Sequence, residues 1–334
     1  MRIGINGLGR IGRGFLRRAI GDSSIAVAAV NDVASPDILA HLLRHDSLYG
    51  RLAVPVEAGD RALVVGGRTI PCHREKDPAS IPWKEADVEI VLECTGRFAA
   101  RAAAAGHLAG GARRVVVSSP SPDADFTVCV GVNDAALDPE RHIVVSNASC
   151  TTNALAVVLD VAIRRFGIER AAMTTIHCVT NNQPLVDAPH ADPRRARGAL
   201  HSMIPTTTSA AEAVVAVLPA MRGRLHALAV RVPTAGVSLV DLTIALSRPA
   251  TPESARATYR EEAEGRLAGI LGFCDEPLVS ADYAGDTHSA VVDGPLLAVE
   301  GDRWLKILAW YDNERGYVER LADLVRRMAP KGAR

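Results

Sequence analysis

A short apolar run, Arg2–Asn6, passes directly into Gly7-Leu8-Gly9-Arg10-Ile11-Gly12, which matches the pattern G-x-G-x-x-G. Three glycines at this spacing often arise by chance. Their surroundings give them weight: a strand-like run before, a helical pattern through residue 20 after, a second apolar run over residues 25–31, and Asp32 at its end. One arrangement uses all of these features, a βαβ unit that binds a dinucleotide. Gly7 permits the tight turn, Gly9 lets backbone approach a pyrophosphate, and Gly12 lets the helix pack closely on the strand. The helix N-terminus offers free N–H groups to phosphate oxygens. Asp32 would bind the adenosine ribose hydroxyls and repel a 2′-phosphate, which favours NAD over NADP. The competing reading is a βαβ unit with a purely structural role.

Further strand-like runs lie at residues 88–94, 114–118 and 142–146, with helical or loop stretches such as 36–43 and 101–108 between them. Strands alternating with helices imply a parallel sheet covered on both faces. After Cys150 the texture changes. A helical pattern covers residues 150–166, a strand is expected over 171–176, and residues 178–203 are polar and rich in Asn, Pro, His and Arg. Long alternating runs at 227–232, 237–246 and 304–311 then point to a mostly antiparallel sheet. The expected fold is α/β, with a Rossmann domain over 1–149 and an α+β catalytic domain over 150–312. A final helix over 313–330 is expected to pack back on the first domain.

The 334 residues carry 38 Lys+Arg against 38 Asp+Glu, so the formal charge is zero. A dedicated nucleic-acid binder needs a basic excess for phosphate contacts, so that class is set aside. No apolar run reaches the ~18 residues of a membrane helix, and arginines interrupt every apolar stretch of the N-terminus. The expectation is a cytoplasmic protein. The six cysteines form no C-x-x-C pair, which argues against a disulfide framework or a structural metal site, and no metal is expected.

Ser146-Asn147-Ala148-Ser149-Cys150-Thr151-Thr152-Asn153 falls between a strand and a helix, with Cys150 in the helix's first turn. The helix dipole there favours a thiolate. His177 ends the expected strand 171–176 and should project from a sheet edge, which makes it the best partner for Cys150. Such a pair combines a nucleophile with a group that accepts and returns a proton. The other five cysteines read as core or surface residues, Cys178 pointing to the face opposite His177. His190 and His201 read as solvated.

The segments INGLGRIGR, ND, SNASCTTN, TTIH, RRAR, SMIPTTT, VRVPT and WYDNERGY stand in this order along nearly the whole chain. In this the chain resembles the phosphorylating glyceraldehyde-3-phosphate dehydrogenase family, with erythrose-4-phosphate dehydrogenase as a close relative. The resemblance implies that Cys150 attacks an aldehyde, His177 handles the proton, and inorganic phosphate resolves a thioester to an acyl phosphate. It implies Thr180 and Arg231 for the substrate phosphate, and Ser149, Thr151, Arg195 and Thr208, with Ser209 beside them, for the attacking phosphate. Arg10 and Ile11 would lie at the pyrophosphate. Thr95, Gly96, Ser119 and Asn181 would line the cofactor groove, Asn313 would orient the nicotinamide carboxamide and Tyr317 would pack near the ring. Of the arginines in RRAR, one or two are expected to be merely solvated. The family's usual form is a homotetramer.

Several positions depart from the family pattern. Ala154 replaces a cysteine one helical turn after the nucleophile. Asn182 replaces Asp, Ser209 replaces Gly, Glu212 replaces Lys, and Cys178-Val179 replaces a small residue followed by Tyr. Ala188-Pro189 stands between the patterns of NAD and NADP users. These changes cluster around the substrate and phosphate pockets. They keep open a paralogue acting on another phosphorylated or phosphonate aldehyde, erythrose 4-phosphate included, or one tolerating a thiol-directed inhibitor. A non-catalytic NAD- or RNA-binding derivative is the reading from a different class; it would require catalytic parts to be missing, and none is.

Overall fold

The computed structural model describes residues 1–329. They form two compact units, one of Met1–Val128, Asp134–Ala148 and the chain from Val318 onward, the other of Cys129–Asn133 and Ser149–Tyr317. The division at Ala148/Ser149 lies one residue before the expected one, and Cys129–Asn133 joins the second unit.

In the first unit nine strands lie in the order Phe126–Thr127, Val144–Ser146, Arg114–Val117, Ile90–Glu93, Arg2–Asn6, Ala26–Asn31, Arg68–His73, Ala62–Val65, Val56–Gly59. Pairings are parallel as far as Arg68–His73. Beyond it the edge strands are antiparallel hairpins, which an all-parallel expectation missed. Gly66 and Gly67, with φ of 56° and 79°, supply the left-handed turn that joins two of these strands. Chain order reverses on either side of Arg2–Asn6, so the strand ends at Asn6, Asn31 and Glu93 open on the crevice where parallel sheets hold their ligands.

The helix Arg10–Ala19 buries Phe15 and Leu16 against this sheet. The terminal helix Arg315–Met328 meets it within the same unit: Glu319 pairs with Arg18 at 2.7 Å, Arg326 pairs with Asp22, and Gly14 leaves room for Val318. That helix starts two residues later than expected. Asp312 caps it by accepting from the N–H groups of Glu314 and Arg315, which leaves Asn313 outside the helix. Its expected end at residue 330 lies outside the described residues.

In the second unit the strand order is Ile204–Thr206, Leu225–Val232, Ile168–Cys178, Ser238–Leu246, Trp304–Tyr311, Ala290–Asp293, Leu271–Cys274. Most pairings are antiparallel, but Ile168–Cys178 runs parallel to Leu225–Val232, and Leu271–Cys274 runs parallel to Ala290–Asp293. The strand expected over 171–176 is thus longer, spanning Ile168–Cys178, and it is paired on both sides. Glu169 and Arg170 look like loop residues in sequence, yet they stand on the exposed side of a strand with an irregularity beside them.

The helix Cys150–Arg165 is buried on almost every side and packs in the unit's main core. A helix apolar all round has to be central. Two arginines, Arg164 and Arg266, each donate to its buried Asp160 at 2.8 Å, and the Tyr259 hydroxyl donates to the Val158 carbonyl at 2.9 Å. No helix among the described residues is long and apolar enough to cross a membrane.

Candidate functional site

The glycine turn is built by close contact. Gly7 has φ of 91°, and a Cβ there would lie 2.8 Å from Thr95 Cγ2. A Cβ on Gly12 would lie 2.0 Å from the Gly7 carbonyl oxygen, whereas one on Gly9 would meet nothing within 4 Å. Gly12 is therefore needed for packing, and Gly9 borders open space. That space is a cleft of about 380 Å³ whose lining includes Asn6, Gly7, Gly9, Asp32 and Thr95.

Asp32 is fixed at this cleft, accepting from the N–H groups of Leu8 at 2.8 Å and Ala34 at 2.9 Å. A carboxylate held on a glycine turn beside a helix N-terminus fits an adenosine ribose followed by a pyrophosphate. Arg10 and Ile11 open the helix; the Arg10 side chain is committed to Asp46 at 2.7 Å and lies over the Tyr49 ring, so its contribution there is backbone. Ser119 is held through its carbonyl, which accepts from Ser146 Oγ at 2.8 Å.

Thr95 is positioned by a residue that the sequence reading missed. Buried Glu93 accepts from the Thr95 N–H at 2.8 Å and from its hydroxyl, from Asn6 Nδ2 at 2.6 Å and from His107 Nε2 at 2.9 Å. Trp83 Nε1 donates to His107 Nδ1 at 3.1 Å, which fixes the Nε2–H tautomer facing Glu93. In sequence Glu93 is one residue of the strand-like run over 88–94, and nothing local marks it as a hub.

Ala148, the last residue of the first unit before the division, lies in the left-handed region (φ 54°) and turns the chain into the helix that carries Cys150. Ser149 caps that helix, its Oγ accepting from the Thr152 N–H at 3.0 Å. Cys150 Sγ lies 3.7 Å from His177 Nε2. His177 in turn stands in register with Arg231 on the neighbouring parallel strand.

His177 Nδ1 faces two partners of opposite kind, the Cys178 carbonyl at 2.8 Å and Arg231 Nη1 at 2.7 Å. Protonated, Nδ1 donates to the carbonyl and leaves Nε2 a base toward Cys150; unprotonated, it accepts from Arg231 and Nε2 becomes a donor. Burial, aided by the Arg231 charge, pushes His177 down to about 4. Burial likewise pushes the Cys150 thiol up, while Arg231 pulls it down. Burial thus opposes charge on both partners, while Arg231 and the helix start favour the thiolate.

Thr151, Ser149, Arg195 and Thr208 were expected together as anion ligands. Thr151 is buried with its hydroxyl 2.9 Å from the Tyr311 hydroxyl, which also meets Thr175. Ser149 Oγ is engaged in capping. Arg195 alone of the RRAR arginines turns inward, donating to Thr206 Oγ1 at 2.8 Å and the Thr207 carbonyl at 3.1 Å, next to Thr208. Arg194 and Arg197 are exposed. Thr208 Oγ1 accepts from the Ala210 N–H, while Ser209 stands exposed at the same helix start.

Thr180 follows the histidine strand, its N–H bonded to Gln183 Oε1, and Asn181 is exposed beside it. His190 is half-buried; it accepts from the Asp192 N–H and so donates through Nε2 to Asn182 Oδ1 at 3.1 Å. Tyr317 is buried. Asn313 is nearly buried, its Oδ1 met by Cys178 Sγ and Ser238 Oγ. No cluster of His, Cys, Asp or Glu among the described residues could hold a metal ion.

A dinucleotide-type unit joined to one holding a cysteine at a helix start, with an imidazole and a guanidinium beside it, is the equipment of an NAD-dependent oxidoreductase that holds its substrate through sulfur. Residues 1–101 match the family model "Glyceraldehyde 3-phosphate dehydrogenase, NAD binding domain", and residues 149–313 match "Glyceraldehyde 3-phosphate dehydrogenase, C-terminal domain". Curated relatives include glyceraldehyde-3-phosphate dehydrogenase 1 of Bacillus cereus, 48 % identical over 331 residues and covering 99 % of each chain. The glyceraldehyde-3-phosphate dehydrogenase of Geobacillus stearothermophilus is 48 % identical over 332 residues, again with 99 % of each chain covered. Glyceraldehyde-3-phosphate dehydrogenase 2 of Bacillus subtilis is 46 % identical over 331 residues, 99 % of this chain and 97 % of that one. The chain belongs to the glyceraldehyde-3-phosphate dehydrogenase family.

Proposed function

We propose that the chain oxidises D-glyceraldehyde 3-phosphate to 1,3-bisphosphoglycerate, using inorganic phosphate and NAD. The observation that carries this reading is the Cys150–His177–Arg231 row, with sulfur 3.7 Å from Nε2 and the guanidinium 2.7 Å from Nδ1. Cys150 Sγ bonds to the aldehyde carbon, and its proton passes to the carbonyl oxygen to give a thiohemiacetal. His177 Nε2 takes the hydroxyl proton as the carbon loses hydride, and the carbon becomes a thioester. Bound NAD supplies the hydride acceptor. A phosphate oxygen then attacks the thioester carbon, the C–S bond breaks, and the acyl phosphate leaves Cys150 as thiolate.

Arg231 and Thr180 would take the substrate phosphate. Once an anion engages Arg231, Nδ1–H can donate to the Cys178 carbonyl, which leaves Nε2 the base this step needs. Arg195 and Thr208, with Ser209 beside them, would take the attacking phosphate. The capping role of Ser149 and the Tyr311 bond of Thr151 make those two residues supports of the helix start as well as candidate ligands.

For the cofactor, Gly7, Gly9, Gly12 and the N–H groups of Arg10 and Ile11 would hold the pyrophosphate, and Asp32 the ribose. A fixed carboxylate at that position disfavours a 2′-phosphate, so NAD is preferred to NADP. Thr95, Ser119 and Asn181 would line the groove, Asn313 would meet the nicotinamide carboxamide, and Tyr317 would pack near the ring. The working form is a homotetramer, supported by exposed Leu185, Val186, Leu200 and Met203 on one irregular segment. The deciding experiment is initial-rate NADH formation with D-glyceraldehyde 3-phosphate, NAD and phosphate, run beside D-erythrose 4-phosphate, NADP and phosphate-free arms. Phosphate-dependent turnover favouring the three-carbon aldehyde and NAD, lost in Cys150→Ser, is the expected result. Preference for the four-carbon sugar or for NADP would overturn the corresponding assignment.

A further inference from the structure

Cys178 is one of the positions where the sequence departs from the pattern the resemblance implies, and its thiol is not idle. It ends the interior strand Ile168–Cys178, is 1 % exposed, and places Sγ 3.1 Å from Asn313 Oδ1. Ser238 Oγ reaches the same oxygen at 3.2 Å. That hydroxyl also accepts from the Cys178 N–H at 3.2 Å and keeps its own proton to donate. Asn313 Oδ1 thus receives two donors, while Nδ2 has no protein partner although the residue is only 8 % exposed. The sulfur favours this amide orientation: a thiol donates to the amide oxygen, whereas the flipped amide would set an N–H against a sulfur that is a weak acceptor. With its oxygen anchored from two sides and its amino group left without a protein partner, the amide has a donor available to a ligand.

We propose that the Cys178 thiol is a positioning group for Asn313, holding Oδ1 so that Nδ2 presents its hydrogens to the carboxamide of the nicotinamide. This rests on the reading of Asn313 given above and adds to it a second residue of the same pocket. Burial pushes the Cys178 thiol up to about 12, so it remains a donor across the working pH range. Its backbone carbonyl separately meets His177 and Arg231, and a side-chain substitution leaves that carbonyl in place.

The test compares full-length Cys178→Ala, Cys178→Ser and Asn313→Ala by KM for NAD, kcat, direct NAD titration and thermal midpoint. Loss of one hydrogen bond should raise KM and Kd for NAD about five- to tenfold in Cys178→Ala, with little change in the midpoint. Cys178→Ser, which restores a donor, should recover to within about twofold. If Asn313→Ala weakens NAD but Cys178→Ala does not, the positioning role is overturned and the Asn313 reading stands. If neither weakens NAD, the Asn313 reading falls and takes the proposal with it. If Ser and Ala at 178 are equally impaired and both lower the midpoint, the thiol only fills space and the proposal is overturned.

Discussion

Nη1 of Arg231 lies 2.7 Å from Nδ1 of His177, the two residues being register partners on parallel strands. A guanidinium can only donate, so this contact opposes protonation of the imidazole. Burial and the Arg231 charge together hold His177 near 4, while the same charge partly offsets the burial that raises Cys150. Removing the charge in Arg231→Leu should move His177 up toward its ordinary range and Cys150 further up. At neutral pH the thiolate fraction then falls, and iodoacetamide alkylation of Cys150 should slow on the order of tenfold. Alkylation rates from pH 6 to 9, with a histidine NMR titration alongside, read both shifts. An unchanged alkylation profile would show that Arg231 does not act on the sulfur.

The low value for His177 has a consequence for stability. Unfolded, the imidazole takes up a proton near 6.5; folded, it does so only near 4. Between these values the unfolded state binds more protons, so stability rises with pH there and is lost as pH falls from about 6.5 to about 4. The contribution is on the order of a few kcal/mol. His177→Gln removes the titration. Its denaturant midpoint should fall less than the parent's between pH 7 and pH 4.5, whatever its starting stability. Equal slopes in the two proteins would mean that His177 is not a main source of acid sensitivity.

Some of this was legible in the sequence because it is written locally. The glycine turn, Asp32 and Cys150 at a helix start depend on residues close together, and each has one conformation that suits it. What was not legible depends on register or burial. His177 and Arg231 are brought side by side by strand pairing, and no periodicity states that pairing. The length of the histidine strand was missed because charged Glu169 and Arg170 mask it. Cys178 reads as an ordinary core residue until Asn313, far along the chain, is seen against its sulfur. The helix start that favours a Cys150 thiolate is visible in sequence, whereas the burial that opposes it is not.

Glu93 offers a further test, because four donors converge on one buried carboxylate. Glu93→Gln replaces one acceptor oxygen with a donor, so one pair of those donors must face an N–H2 group. The expected loss is about 2–4 kcal/mol of unfolding free energy, typical of a broken buried charged network. Because Asn6 and Thr95 line the cleft beside Gly7, NAD binding should weaken as well. Denaturant unfolding and NAD titration check the two effects. A variant that keeps both would show that the network tolerates a donor and that Glu93 does not set the cleft.

The glycines separate packing from ligand approach. A methyl on Gly12 would sit 2.0 Å from the Gly7 carbonyl oxygen, a contact that only movement of the helix or the turn can relieve. Gly12→Ala should therefore lower the thermal midpoint by several degrees and weaken NAD together. A methyl on Gly9 meets nothing within 4 Å, so Gly9→Ala should keep its midpoint. Its methyl would instead occupy space that the pyrophosphate needs, and NAD affinity should fall about tenfold or more, as expected where backbone must approach the phosphates closely. Thermal melts with and without NAD distinguish the two variants: NAD should stabilise the parent strongly, and neither variant to the same degree. A Gly9→Ala protein that binds NAD as the parent does would place the pyrophosphate away from this turn.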